Sequence, residues 1–207
     1  DEYGITRQQQ DEYALQSHRH GEIAQKEGRF AAEIAPVTIA GKKGPVVVDT
    51  DEHIRPGVAL ADLQKLPPVF RPKVGTVHAG NSSGITDGAA AVVLMPQSEV
   101  DRRGLKPLAW LGASATAGVP PRIMGIGPVP AVKSLLAKTG RQLGDFDLVE
   151  LNEAFAAQML ACLRDLPIAA DRLNVNGGAI ALGHPIGATR ARIVVTLLHE
   201  MQRRGST

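Results

Sequence analysis

The sequence predicts an α/β fold in which short apolar strands run directly into helices, and three observations carry the prediction. Leu148–Gln158 (LVELNEAFAAQ) begins as an apolar strand, meets Asn152 and Glu153, and continues as a helix. Asn174–Arg192 (NVNGGAIALGHPIGATRAR) passes from an extended start through a glycine-rich turn to His184, and a helix follows. The apolar content is 43% but only 3% of residues are aromatic, so the core must be built of Ala, Val, Leu and Ile with many glycines. Such small side chains suit closely packed layers of helix and sheet.

Residues 1–35 read as a polar lead and one helix. Thr6 followed by Gln9 is a capping-box pattern, and Ala14, Leu15, Ile23 and Ala24 continue the helix to Gly28. His18 and His20 are two apart and do not share a helix face, so they read as two surface histidines and not as a chelating pair. Residues 36–50 alternate and end in VVVD, which predicts two strands joined by the Gly41–Gly44 turn. Residues 51–75 are irregular and proline-rich, with Arg55 in DEHIRPG and a short helix at ALADLQKL.

Residues 76–95 predict a loop, a small-residue helical turn and a buried strand, AAAVVLM. A short helix ends at Gly104, and the strand LAWLGASAT follows Pro107. Met124–Gly140 contains a Gly-Pro turn and an amphipathic helix, with Val132, Leu135 and Leu136 on one side and Gly140 as the stop. Gly125 and Gly127 form a Gly-x-Gly without a third glycine, and Pro128 and Pro130 argue further against a dinucleotide loop.

DFDLVEL predicts the next strand and EAFAAQMLACLRDL the next helix, with Phe155, Met159, Cys162, Leu163 and Leu166 on its apolar face. Cys162 thus faces the core as an inert thiol. Residues 187–205 predict a last helix whose buried stripe is Val194, Leu197, Leu198 and Met201, ended by Arg203, Arg204 and Gly205.

Composition removes several function classes. The net charge of +2 is weak and spread out, and no basic stripe with interleaved aromatics marks a nucleic-acid interface. Arg102–Arg103 and Arg203–Arg204 read as solvated helix ends. One cysteine excludes an internal disulfide and a cysteine-based zinc site, and no metal is expected. No run of 18 apolar residues predicts a membrane span, and no signal peptide is read. A cytoplasmic protein is the expectation, which a single cysteine fits without establishing.

Four blocks now share one order. Ala79–Ala91 (AGNSSGITDGAAA), Met124–Ala131 (MGIGPVPA), Asn152–Phe155 (NEAF) and Asn176–Gly187 (NGGAIALGHPIG) together resemble the thiolase family of acetyl-CoA acetyltransferases and 3-ketoacyl-CoA thiolases. The resemblance implies a partial layered αβαβα fold. Residues 1–85 would belong to a loop domain that covers coenzyme A, 86–106 to the last strands and helix of the N-terminal half, and 107–207 to the C-terminal half without its final Cys-x-Gly strands.

Thiolases make or break a carbon–carbon bond between acyl groups carried on coenzyme A, for example joining two acetyl-CoA into acetoacetyl-CoA and CoA. One cysteine thiolate takes the acyl group as a thioester, and a second cysteine moves a proton. The resemblance gives His184 two tasks, activation of the nucleophilic thiol and donation to an oxyanion, and gives Asn152 the holding of a water that also donates there. Histidine's ordinary pKa of about 6.5 suits proton transfer near neutrality. It places Arg55 against the adenine, Ser83 on the pantetheine, and Leu66, Ala79, Ala154 and Phe155 along the CoA and substrate. Acyl-CoA serves as substrate, and no covalently bound cofactor is implied.

The family's nucleophilic cysteine lies in a motif preceding the stretch that matches Asp1, and the second lies in a later Cys-x-Gly motif; neither role transfers to Cys162. The 207 residues alone are therefore expected to be inactive and to expose apolar faces of a partly built core. Homodimers or homotetramers are implied, and ELNEAF leans toward a degradative, β-oxidation role. Arg190 departs from the family, which commonly has a small residue there; a CoA phosphate, a neighbouring subunit and solvent all fit it. The competing expectation is a thiolase-like protein without chemistry that binds acyl-CoA or lipid or serves as a partner subunit. A nucleotide-binding α/β protein ranks far behind, because no Walker lysine and no ribose-binding acid follow the glycine-rich stretches.

Overall fold

Thr6 starts the first helix as its spacing predicts. Its hydroxyl accepts from the Gln9 backbone N–H, and the Gln9 side chain accepts from the Thr6 N–H at 2.9 Å. The computed structural model describes residues 2–206, so Asp1 and Thr207, the outer ends of the first and last predicted segments, lie outside the described residues. Its helices are α1 (Arg7–Lys26), α2 (Leu60–Gln64), α3 (Gln97–Arg103), α4 (Pro128–Thr139), α5 (Ala156–Asp165), α6 (Ala179–Leu182) and α7 (Thr189–Arg204). Strands β1 (Val37–Ile39) and β2 (Val46–Val48) pair antiparallel with Val37 opposite Val48, across the predicted Gly41–Gly44 turn. Gly104, Gly140 and Gly205 each adopt the left-handed conformation that ends α3, α4 and α7.

The fold is mostly helical, and three predicted strands are not built as strands. AAAVVLM, LAWLGASAT and DFDLVEL have no ladder partner among the described residues beyond a single parallel bridge, Val149 to Leu173. A strand exists through its neighbour's hydrogen bonds, and a run of apolar residues without one remains an unpaired segment. Val93, Leu94, Leu108, Trp110 and Leu111 are accordingly exposed, as expected of a partly built core.

The packed part centres on α1. Ala14 and Leu15 of α1 join Leu63, Ala156 and Ile180, while Ala24 joins Phe30, Ile54, Ala181 and Leu182. Helices α1 and α6 approach so closely that a Cβ at Gly21 would lie 3.0 Å from that of Ala181. Gly177 is fixed twice over, by φ +84° and by Gly21, whose N would lie 2.7 Å from an added Cβ. A separate cluster of Val129, Cys162 and Leu166 buries the single thiol.

Three further sequence expectations need correction. Helix α5 begins at Ala156 and not at Glu153, because Ala154 and Phe155 pair with Ser83 and Ser82 instead. His18 is buried, on the side of α1 that faces Gly80 and His53. The predicted stripe of α7 is not its buried face: Val194 is exposed and Leu197, Leu198 and Met201 are half-buried, while Thr196 and Glu200 are buried against Glu33 and Asn176. Polar pairing, not apolar packing, seats this helix among the described residues.

Candidate active site

Asn152 and His184 come from the two motifs singled out in the sequence, and the fold brings them together. The Asn152 amide nitrogen lies 3.3 Å from His184 Nε2. His184 Nδ1 lies 2.7 Å from the Thr189 hydroxyl, and its backbone N–H donates to Gly84 O at 2.8 Å. Asn152 Oδ1 is buried and has no protein partner among the described residues. An imidazole nitrogen and an amide group thus sit side by side, with the His184 loop held against Gly84.

Asn152 is held by the residues around it. The Asn174 side chain accepts from Leu151 N and donates to Leu151 O, both at 2.8 Å, as a paired strand would. Asn174 itself has φ +44°, a conformation its short polar side chain tolerates. Next to it Glu153 is buried and accepts four hydrogen bonds: Tyr13 Oη at 2.9 Å, Ser17 Oγ at 2.7 Å, Asn174 Nδ2 at 3.0 Å and Ile180 N at 3.1 Å. One carboxylate therefore ties α1, the Asn152 turn and the start of α6 into a unit. A methyl group at Gly178 would overlap it.

The loop before His184 is held from the other side. His53 Nδ1 lies 2.9 Å from Ala181 O, and its ring packs on Gly84, where any side chain would collide with it. Gly183 is likewise closed off by Thr86. Ser83 donates from both its backbone N–H and its hydroxyl to Ala154 O at 3.1 Å. Ser83, Ala154 and Phe155 are therefore neighbours of Asn152, and Phe155 is partly exposed.

The remaining predicted binding residues form a looser set. Half-buried Leu66 packs on Gly80 beside exposed Ala79, and the Arg7 guanidinium donates to Leu63 O and Leu66 O at 2.7 and 3.1 Å. Arg55 is exposed and its guanidinium has no protein partner among the described residues; no hydrogen bond ties it to Ser83 or Ala79. Arg190 is exposed in the first turn of α7. Cys162 shares no partner with His184. Its thiol donates to Gly125 O, and burial raises its pKa.

The sequence reading assigned no role to His78, Asp11, Glu153, Asn174 or Thr189. His78 is fully buried, with Nε2 2.6 Å from Asp11 Oδ1 and Nδ1 accepting from Gly80 N, and Asn81 donates to the same Asp11 oxygen at 3.0 Å. The interior position of its neighbours Ala14 and Leu15 on α1 was the available signal for Asp11.

Glu33, Glu150 and Arg192 form a second charged group. Burial pushes Glu33 up to about 7 and Glu150 to about 8, and the Arg192 guanidinium, 4.0 Å from Glu150, opposes both shifts. A carboxyl whose folded pKa is raised stabilises the fold below its unfolded value, and the stability is lost as pH rises through the folded value. Burial pushes His18 down to about 4, so its contribution has the opposite sign and fades as pH falls from 6.5. Above pH 6.5 only the carboxyl contribution changes. The urea midpoint of unfolding is expected to fall steadily from pH 6.5 to 8, and Glu150→Gln to remove most of that slope; an unchanged slope in the variant would contradict the assignment.

No helix among the described residues is long and apolar enough to cross a membrane, and no group of three metal-ligating side chains is found among them.

The family model described as thiolase, N-terminal domain, matches residues 1–98, and that described as thiolase, C-terminal domain, matches residues 105–207. The acetyl-CoA acetyltransferase of Paracoccus denitrificans is 56% identical over 200 residues, covering 97% of this chain and 51% of that protein. The beta-ketoadipyl-CoA thiolase of Pseudomonas aeruginosa is 52% identical over 207 residues, 99% of this chain and 51% of that protein. The crystal structure of the Bacillus anthracis acetyl-CoA acetyltransferase superposes with a TM-score of 0.96 at 47% identity, covering 99% of this chain and 52% of that one. The chain spans about half the length of the relatives it matches.

Proposed function

The chain belongs to the thiolase family, and we propose that it carries the histidine–asparagine part of the active site of a CoA-dependent acyltransferase. The reaction is the reversible condensation and thiolysis of 3-ketoacyl-CoA, such as two acetyl-CoA giving acetoacetyl-CoA and CoA. The observation that carries the reading is the 3.3 Å approach of Asn152 to His184 from two motifs 32 residues apart in the chain.

In this mechanism a cysteine thiol outside these residues loses its proton to His184 Nε2 and attacks the acyl thioester. The sulfur–carbon bond forms as the carbonyl electron pair moves to oxygen. Protonated Nε2 donates to that oxyanion, together with a water held by Asn152. The pair then returns to re-form the carbonyl, the carbon–sulfur bond to CoA breaks, and the CoA thiolate leaves. The buried, unpaired Asn152 Oδ1 supports that water-holding role. Asparagine suits it because its amide offers a donor and an acceptor and does not titrate.

Residues 1–85 are the CoA-covering side, with Ser83 at the pantetheine beside Ala154 and Phe155, Leu66 and Ala79 along the same path, and the unpaired Arg55 toward the adenine. Segment 107–207 bears the base and the amide. Relatives at 56% and 52% identity carry different acyl names, so overall identity does not assign the acyl chain. A cytoplasmic setting fits a reaction that depends on a reduced thiolate. The family membership supports an assembly, a homodimer or homotetramer of family-length chains.

The test measures CoA-dependent consumption of acetoacetyl-CoA by a family-length protein containing these residues and by the 207-residue chain. Turnover is expected in the first and none in the second. Turnover by the pure 207-residue chain would overturn the division of labour. A family-length protein that binds CoA but cleaves neither acetoacetyl-CoA nor longer 3-ketoacyl-CoA would replace the reading with a binding protein.

A further inference from the structure

A base can use only the ring nitrogen that carries no proton, so the tautomer of His184 decides whether Nε2 can receive a proton. The groups around the ring determine that tautomer. The Thr189 hydroxyl lies 2.9 Å from Pro185 O, the carbonyl four residues earlier, and donates its single hydrogen there. What the hydroxyl turns toward His184 Nδ1, 2.7 Å away, is a lone pair. The hydrogen in that short contact must then come from the ring. At the opposite end Nε2 faces the Asn152 amide nitrogen, which is a donor and pairs with a lone pair.

We propose that Thr189 is a positioning residue that holds His184 in the Nδ1–H tautomer, leaving Nε2 free to accept a proton. Thr189 is buried as the first residue of α7, so the helix start itself carries the hydroxyl to the ring. The backbone bond from His184 N to Gly84 O fixes the ring's base from the other direction. Without the hydroxyl, Nδ1–H would have no acceptor in a buried corner and the other tautomer would gain weight. The inference rests on the reading of His184 as the base, but it concerns a property of the ring that is measured without turnover.

The experiment records long-range proton–nitrogen correlation spectra of the ring-labelled 207-residue chain at about pH 8, where an ordinary imidazole is neutral. His184→Gln assigns the resonances among the six histidines. The wild-type ring is expected to show a protonated Nδ1 and a bare Nε2. Thr189→Val, which keeps the shape and loses the hydroxyl, is expected to move the ratio about fivefold toward Nε2–H, the size of one net hydrogen bond. Thr189→Ser is expected to restore it. A wild-type ring protonated at Nε2 overturns the proposal by itself, whatever the variants do, and so does a folded Val variant with the wild-type ratio. In the family-length protein the Val variant is expected to lower kcat with little change in KM, and Ser to recover it. A wild-type Nδ1–H ring in a family-length protein without turnover would keep the positioning role and remove the proposed function.

Discussion

Glu153→Ala is expected to unfold the chain or to cost about 4 kcal/mol or more of its stability. The carboxylate is buried and accepts from Tyr13, Ser17, Asn174 and the Ile180 backbone. Removing it leaves four donors in a low-dielectric site, and each buried donor left unpaired costs about 1–3 kcal/mol. The cost also spreads, because those donors sit on α1, on the turn beside Asn152 and at α6. Glu153 also explains the raised pKa of Tyr13, which follows first from burial and then from the adjacent carboxylate charge. Glu153→Gln keeps the volume but turns an amide NH2 toward donors, so it should fall between wild type and alanine, losing about 2 kcal/mol. Urea unfolding followed by circular dichroism checks both. A Gln variant as stable as wild type would mean that the network is held by something other than the charge. Because Asn174 also braces Leu151, loss of Glu153 should loosen Asn152 before the whole chain melts, which hydrogen exchange at Leu151 and Asn152 would report.

His184→Ala in a family-length protein is expected to lower kcat by about 10²–10⁴, the range typical for loss of a positioned general base. KM should change little, because the ring acts on the thiol and the developing oxyanion and not on the CoA handle. Asn152→Ala is expected to cost about 10²–10³ if it removes one oxyanion donor. The two losses should not add, since the residues meet at 3.3 Å and serve one oxyanion. A double variant that is worse by the product of the two single losses would mean that the groups act on different steps. An unchanged kcat in His184→Ala would refute the base assignment outright.

The sequence alone determined the start of α1 and the ends of α3, α4 and α7, because these are local. The Thr6–Gln9 capping box and the left-handed glycines at 104, 140 and 205 depend on nearest neighbours in the chain and hold as expected. The β1–β2 hairpin is legible for the same reason, its partner lying a short turn away. The motifs holding Asn152 and His184 are legible as motifs, the first as polar residues where an apolar run meets a helix and the second by its glycine and proline punctuation.

Only the tertiary structure decided what the loops approach. His18, read as a surface residue, is buried because α1 turns that side toward Gly80 and His53, and nothing within the helix encodes that choice. The apolar runs at 89–95 and 108–116 have strand composition but no strand, since pairing belongs to two segments and not to one. The buried face of α7 went to Thr196 and Glu200 because their partners, Glu33 and Asn176, come from distant parts of the chain. Glu153 stood in view inside NEAF, yet its donors on α1 lie more than a hundred residues away, so its role as the tie between three elements appears only when hydrogen bonds are counted in space.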